Sequence, residues 1–475
     1  MQGDFSGKNK SVKGYGMGKI IKGSNLKKAI HYVKKNGIRQ TYYAMKERLQ
    51  MEMADDYTYE PISDLALKRQ IQEGEKFSIK FSLLVPAFET KEEHLRAMLD
   101  SVLAQTYGNF ELILADASES NQVERVVETY EDKRILYRRL KQNAGISANT
   151  NQALMYATGD YAGLLDHDDV LTPDALYEMA KCIVAYEAKD ITLQMLYSDE
   201  DKCDEKQITY LEVNKKPDLN LDLLLTNNYI CHFMVIKRQL LQELGFRSVC
   251  DGAQDYDLAL RVIAVLLGKG RRPTKKVDLP VAHIPKVLYH WRTHSQSTAE
   301  NPASKQYAYD AGKRALEDFL RSRGLKGVVS HLRHLGFYRV DYQPDLISNR
   351  PDVAVVGGRL LDKKNRIIGG IYTADGKALY QGIHKEFSGY MHRAVLQQEA
   401  EMVDIRCMKA SREAEIILEE MMGLPYLQHP GTGRFDWRGC LNESIDFADL
   451  SRRFCEKVRE QGYRIVWDPA MTESM

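Results

Sequence analysis

The stretch Phe81-Ser82-Leu83-Leu84-Val85-Pro86-Ala87-Phe88 is a short apolar run rich in strand formers, and its reading decides the fold. Behind it Leu95, Met98, Leu99, Val102 and Leu103 recur at the i, i+3, i+4 spacing of a helix, and a second run, Leu112 to Ala115, follows. That order is strand, helix, strand. It continues with a helix around Asn151 to Ala157, a strand YAGLLD and a helix opened by Thr172-Pro173-Asp174. Such alternation predicts an α/β fold with a parallel or mixed sheet covered by helices, and ligands at the carboxyl ends of its strands.

Outward from this block the texture changes twice. Residues 1–50 carry many Lys and Arg against only Asp4 and Glu47, with Ile20, Ile21, Leu26, Ile30, Val33, Ile38, Tyr42 and Met45 interleaved at loosely helical spacing. This reads as a basic, mostly helical arm over 1–76, either a solvated appendage or a helix that meets an anionic lipid surface. The glycines of KGYGMGK lack phosphate-loop spacing and a preceding apolar strand. Downstream, the Arg-, Lys- and Leu-rich residues 311–350 read as a helical connector. A smaller α/β region over 351–475 begins with VAVVGGRLL and ends with a helix from Phe447 and the strand YRIVWDP.

The chain has 475 residues, enough for about three domains, and a net charge of +1 gives no general reason to expect nucleic-acid binding. Hydrophobic residues at 44% and charged residues at 28% exclude a disordered chain. Seven scattered cysteines without a Cys-x-x-Cys pair read as reduced thiols of a cytoplasmic protein. The longest apolar run, Val262 to Leu267, is far short of a membrane span, and the opening MQGDFSGKNK lacks the order of a secretory signal.

The residues after the strands are the candidates for chemistry. Pro86, Phe88 and Glu89 follow the first strand, Asp116 the second, and Asp166-His167-Asp168-Asp169 the third. Closely spaced carboxylates repel one another and lose solvation when partly buried, so a compensating cation is expected, and oxygen donors suit Mg²⁺ or Mn²⁺. Further on, Gln254-Asp255-Tyr256-Asp257 opens an apolar helix, where Asp255 reads as an N-cap or a reactive carboxylate. His290 stands after another β-like run, as a core histidine or a ligand.

The blocks FSLLVPAFE, LILADAS, NAGISANTNQAL, GDYAGLLDHDD, YSDEDK, GAQDYDLALR and LYHWRTHSQST together resemble glycosyltransferase family 2, over roughly Phe77 to Asp310. The resemblance implies a GT-A domain over 77–310, a Rossmann-like mixed sheet with helices on both faces. It implies that Pro86, Phe88, Glu89, Asp116, Asn143, Gly145, Asn151, Asp166 and Arg292 bind the nucleotide-sugar donor. Asp168, Asp166 and His290 are implied to hold Mn²⁺ or Mg²⁺, with Asp255 the catalytic base and Asp199, Asp201 and Gln254 facing sugar or acceptor. The last region resembles only the later half of a second such domain and has no Asp-x-Asp, so it is expected to be non-catalytic.

The expected activity is therefore hexosyl transfer with inversion, from a UDP- or dTDP-sugar to a lipid-linked or growing cell-surface glycan, at the inner face of the cell membrane. Its rivals are a catalytically silent glycan- or nucleotide-binding subunit of a polysaccharide synthase, and a nucleotidyltransferase. The latter wants a Gly- and Arg-rich triphosphate loop that is missing after Val85. If the arm meets lipid, deleting residues 1–50 weakens co-sedimentation with anionic liposomes; unchanged sedimentation removes the arm's membrane role.

Overall fold

The computed structural model describes residues 33, 37–47, 57–268, 272–293, 306–441 and 444–475. The chain divides into two units, Met1–Ala54 and Asp55–Met475. In the first, residues 37–47 are helical, with the Thr41 hydroxyl donating to the Gly37 carbonyl at 2.8 Å. Residues 1–32, 34–36 and 48–56 of the basic arm, KGYGMGK included, lie outside the described residues, whereas residues 57–76 are described and carry the helix Asp64–Gly74.

The second unit is built on one large mixed sheet. Its strands are β1 (Phe81–Ala87), β2 (Phe110–Asp116), β3 (Ile135–Arg139), β4 (Tyr161–Leu164), β5 (Val170–Leu171), β6 (Met195–Cys203), β7 (Tyr210–Asn214), β8 (Met234–Lys237) and β9 (Val281–Arg292). They lie in the order β3-β2-β1-β4-β8-β6-β9-β5, with β7 on β6. The β1, β2, β3 and β4 strands run parallel, while β8 is antiparallel to both β4 and β6. The parallel half is apolar on both faces, as a sheet covered on both sides requires. Phe81, Leu83 and Val85 enter one core and Leu84 the other. The expected alternation is thus what folds, and helices cover each face.

Past β9, residues 306–350 are not a purely helical connector. The helix Gln306–Ser322 is followed by an antiparallel hairpin of β10 (Gly327–His331) and β11 (Tyr338–Tyr342). Val329, Tyr338 and Val340 alternate inward and bury themselves beside the helix, which periodicity at 3.6 does not reveal in so short a run.

The terminal region carries β12 (Val353–Leu361), β13 (Ile367–Gly369), β14 (Ile371–Tyr372), β15 (Gln398–Glu399), β16 (Met402–Val403), β17 (Met408–Ala410) and β18 (Arg464–Ser474). β12 is its centre, parallel to β18 and antiparallel to β13 and β17. Its own core includes Phe454, Trp467 and Leu418, but Val353, Val356, Leu396 and Val466 belong to the core that also holds Leu224, Tyr256 and Leu258. The region is therefore packed into the same hydrophobic body as the large sheet.

A buried ionic network crosses that junction. Arg350 donates to Asp352 at 2.8 and 2.9 Å and to Asp222, on the short helix Leu221–Leu224, at 3.2 Å. Arg464 lies 3.0 Å from Asp352 and also pairs with Glu399, whose backbone N–H donates to Asn220. Removing one member of a buried set leaves the others as uncompensated charges. Arg350→Met is expected to cost about 3–5 kcal/mol of stability, read as a lower midpoint in denaturant unfolding; an unchanged midpoint means the network does not hold the two regions together.

Candidate active site

The carboxyl ends of β1 and β4 open into a pocket lined by Leu84, Pro86, Leu164, Leu165, Asp166, Cys231, His232, Met234, Gln254 and Asp255, among others. Because β8 runs antiparallel to β4, with Gly163 opposite Val235, the residues just before β8 are delivered to the end of β4. That is how Cys231 and His232 meet the Asp166 turn. The helix Gln254–Leu266 presents Asp255 from its first turn. Asp255 does not cap that helix, which Ala253 precedes without a side-chain cap; instead its Oδ2 accepts from Asn228 Nδ2 at 2.9 Å.

His232 is the centre of this arrangement. Its Nδ1 lies 3.0 Å from Glu200 Oε2, and its Nε2 lies 3.8 Å from Asp166 Oδ2. The ring stacks on Tyr289 with centroids 4.7 Å apart. Glu200 is held in turn by Asn214 at 3.0 Å and by the fully buried Lys216 amine at 3.6 Å. Burial alone would raise the Glu200 carboxyl, but Lys216 and His232 hold it down to about 2. Burial would lower the His232 imidazolium, but the Glu200 carboxylate on Nδ1, with Asp166 and Asp169 nearby, raises it to about 9. Two groups of ligand-type atoms share this ring. One is Asp166, Asp169 and His232; the other is Cys231, His232 and Asp255; within each, the atoms lie within 4.8 Å of one another.

The Asp166 turn is fixed from beneath. Asp169 is buried, accepting from the Tyr289 hydroxyl at 2.5 Å and from the Arg292 backbone N–H at 2.7 Å. Burial, with the Asp168 and Asp166 carboxylates alongside, pushes the Asp169 carboxyl up. Arg292 Nε donates to the Asp168 carbonyl at 2.6 Å and Nη1 to the Glu205 carbonyl at 2.7 Å. The donor set at the turn, a half-exposed Asp166 carboxylate facing an imidazole nitrogen, fits a divalent ion of the Mg²⁺ or Mn²⁺ kind.

Pro86, Asp166, Gln254 and Asp255, all named through the family resemblance, line one pocket. Others go elsewhere, each for a physical reason. His290 lies inside β9, not after it, paired in register with Val170 and Asp201. Side chains alternate along a strand, and Tyr289 takes the His232 side. His290 instead places Nδ1 2.5 Å from Asp201 Oδ1 and its ring 4.5 Å from that of Tyr59. Asp201 is 0% exposed and also accepts from the Tyr57 hydroxyl at 2.7 Å, while Asp199 accepts from the Lys216 N–H and lies 2.8 Å from His283 Nε2. Neither aspartate lines the pocket of Asp166 and Asp255.

Arg292 is buried and spends its fork on carbonyls. Asn151 clamps the Phe246 backbone with two 2.8 Å bonds, and Phe246 in turn lines the pocket. Asp116 is enclosed by the Ser118 N–H, the Tyr137 hydroxyl and Arg139. Glu89 accepts from the Glu119 and Ser120 N–H groups, tying the first two strand-end loops together. Asn143 accepts from the Gly145 N–H at 3.1 Å, and Phe88 is exposed. Gly145, at φ 92°, leads into the helix Ile146–Leu154, and a Cβ there would run into the Asp251 carboxylate, whose Oδ1 accepts from the Ser147 N–H. Sequence reasoning missed Cys231, His232, Glu200 and Lys216.

The family model for "Glycosyl transferase family 2" matches residues 82–245, which hold β1 through β8 and most of this pocket. Residues 82–245 are a glycosyltransferase family 2 domain. The chain is 40% identical over 258 residues to the uncharacterized protein y4gI of Sinorhizobium fredii, covering 54% of this chain and 26% of that one. It is 32% identical over 279 residues to the O-antigen biosynthesis protein RfbC of Myxococcus xanthus, covering 58% and 20%. Both relatives thus extend far beyond the matched stretch. Among solved structures, S. aureus TarS residues 1–349 in complex with UDP-GlcNAc aligns with TM-score 0.39 and 17% identity, covering 51% of this chain and 67% of that one.

The family 2 domain keeps its Asp166 turn in place through Arg292, and charge alone does not supply that. Arg292→Lys retains the cation but loses the planar fork, leaving buried carbonyls unpaired at about 1–3 kcal/mol. A loss of that size in urea unfolding is expected; full stability of Arg292→Lys means that the fork does not hold the turn.

Proposed function

We propose that this chain is a metal-dependent, inverting glycosyltransferase that moves a hexose from a nucleoside-diphosphate sugar, a UDP- or dTDP-sugar, to a lipid-linked or growing cell-surface glycan. The observation that carries the reading is that Asp255 and Asp166 line one pocket at the strand ends, with His232 within 4.8 Å of each. Similarity to an O-antigen biosynthesis protein supports the glycan class of the acceptor.

Asp255 is the candidate base: it takes the proton of the acceptor hydroxyl as the new bond forms at the anomeric carbon. Asn228 donates to one of its oxygens and so fixes which oxygen faces the reaction. A single base with no second nucleophilic carboxylate fits one displacement, and one displacement inverts the configuration. Asp166, Asp168 and His232 are the residues that would hold Mn²⁺ or Mg²⁺, with His232 in the role the resemblance gave to His290. When bound, the ion stabilises charge on the departing nucleoside diphosphate. Leu84, Leu164, Leu165 and Met234 keep water from the reacting end of the pocket.

The terminal region 351–475 is proposed to be non-catalytic, and the chain to work in the cytoplasm at the inner face of the membrane. Among the described residues no helix is long and apolar enough to cross a membrane.

The test is a panel of nucleotide sugars with Mn²⁺ or Mg²⁺, followed by nucleoside diphosphate release. Turnover of one donor, abolished by chelator and reduced about 10²–10⁴-fold in Asp255→Asn, is expected. No turnover with any donor, with or without lipid-linked glycans, transfers the reading to a silent subunit.

A further inference from the structure

One feature of the pocket is foreign to a site that handles only Mg²⁺ or Mn²⁺. Cys231 brings a thiol sulfur to the same place as His232 and the Asp255 carboxylate, and one ligand atom of each lies within 4.8 Å of the others. Hard ions take oxygen; a sulfur, an imidazole nitrogen and a carboxylate oxygen together suit Zn²⁺, which prefers four neighbours at about 2.0–2.3 Å. We propose that Cys231, His232 and Asp255 form a Zn²⁺ site, and that Zn²⁺ bound there switches the transferase off.

The binding half of this inference stands on the geometry alone. His232 is presented as metal-bound histidines are: a carboxylate, Glu200, holds Nδ1 at 3.0 Å, which fixes the ring and leaves Nε2 for a ligand. Glu200 is itself pinned by Asn214, so the ring does not have to be ordered when the ion arrives. Asp255 has one oxygen on Asn228, which orients its carboxylate. Cys231 is half-buried and is not in a disulfide, so its sulfur is available to an ion that enters through the pocket. Three protein ligands leave a fourth position toward the pocket, where water or the half-exposed Asp166 carboxylate fits. Binding releases both the Cys231 thiol proton and the His232 Nε2 proton to solvent as the Zn–S and Zn–N bonds form.

The inhibitory half rests on the function proposed above. Asp255 cannot accept a proton from an acceptor while its electron pair is on Zn²⁺. His232, shared between the two groups of ligand atoms, is withdrawn from the Asp166 turn at the same time. Both effects act on the transfer step, and neither requires a change of fold.

The experiment uses the full chain, freed of metal and without donor, and titrates it with Co²⁺ as a spectroscopic substitute and then with Zn²⁺ alone. One equivalent is expected, with a thiolate-to-cobalt charge-transfer absorption that Zn²⁺ displaces. Cys231→Ser is expected to lose that absorption and to bind Zn²⁺ about 100-fold more weakly, and Glu200→Gln about 10-fold more weakly. Cys182→Ser, on the remote helix Ala175–Glu187, keeps both. Absence of the absorption in the parent chain, or its persistence in Cys231→Ser, overturns the site. With a donor that turns over, Zn²⁺ is expected to stop nucleoside diphosphate release, and Cys231→Ser to raise the inhibiting concentration by the same factor as the binding constant. Binding at Cys231 that leaves turnover untouched overturns the switch. A chain that turns over no donor yet shows the cobalt absorption supports the Zn²⁺ site and fails the function instead.

Discussion

The structure depends on how a crowd of carboxylates at one end of a sheet is neutralised. Asp169, Asp199, Glu200 and Asp201 all stand in or beside the mixed half of the sheet and are buried. A buried carboxylate without a partner costs several kcal/mol, so each must be answered by a specific donor. Asp169 has Tyr289 and the Arg292 N–H, Asp199 has His283, Glu200 has Lys216 and His232, and Asp201 has His290 and Tyr57. What this matching turns toward the pocket is Asp166, opposite His232, with Asp255 beside it. The groups that face the pocket are those the folding problem did not enclose.

That division explains what was legible in the sequence. The strands were legible because an apolar run of four to eight residues followed by polar ones has few other readings, and Phe81–Ala87, Phe110–Asp116 and Tyr161–Leu164 fold close to where the runs place them. Pro86 and Asp166 follow from the strand ends, whereas Gln254 and Asp255, at the start of a helix, were named through the family resemblance; all four line the pocket. Partner choice was not legible. His290 and Asp201 are 89 positions apart and meet only because β6 and β9 run parallel in a particular register. A shift of one residue in β9 would send His290 to the other face and Tyr289 away from Asp169. Nothing local in VLYHWR states that register.

His232 was missed for the complementary reason. It lies in YICHFMVIK, a run with no carboxylate near it. The signal that finds it is topological: a strand antiparallel to β4 must begin where β4 ends, so the residues preceding MVIK share the Asp166 turn. Arg292 and Asn151 show the opposite error. Residue types able to contact a diphosphate or a sugar are equally able to satisfy backbone groups, and buried loop backbone had the prior claim on both.

Polar matching of this kind also gives the terminal region its part in the pocket. The segment that carries Asn228, Cys231 and His232 begins with the helix Leu221–Leu224, and that helix is held from the far side by Arg350 on Asp222 and by Glu399 on the Leu221 N–H. The hairpin adds a further tie, its Tyr338 N–H donating to the Thr226 carbonyl at 2.7 Å. One wall of the pocket is thus braced by residues 338–399, which contribute no side chain to its lining. A side chain about 1 Å out of place is enough to cost an enzyme much of its rate, so under the proposed reaction a region without an Asp-x-Asp of its own contributes by keeping His232 in register with Asp166.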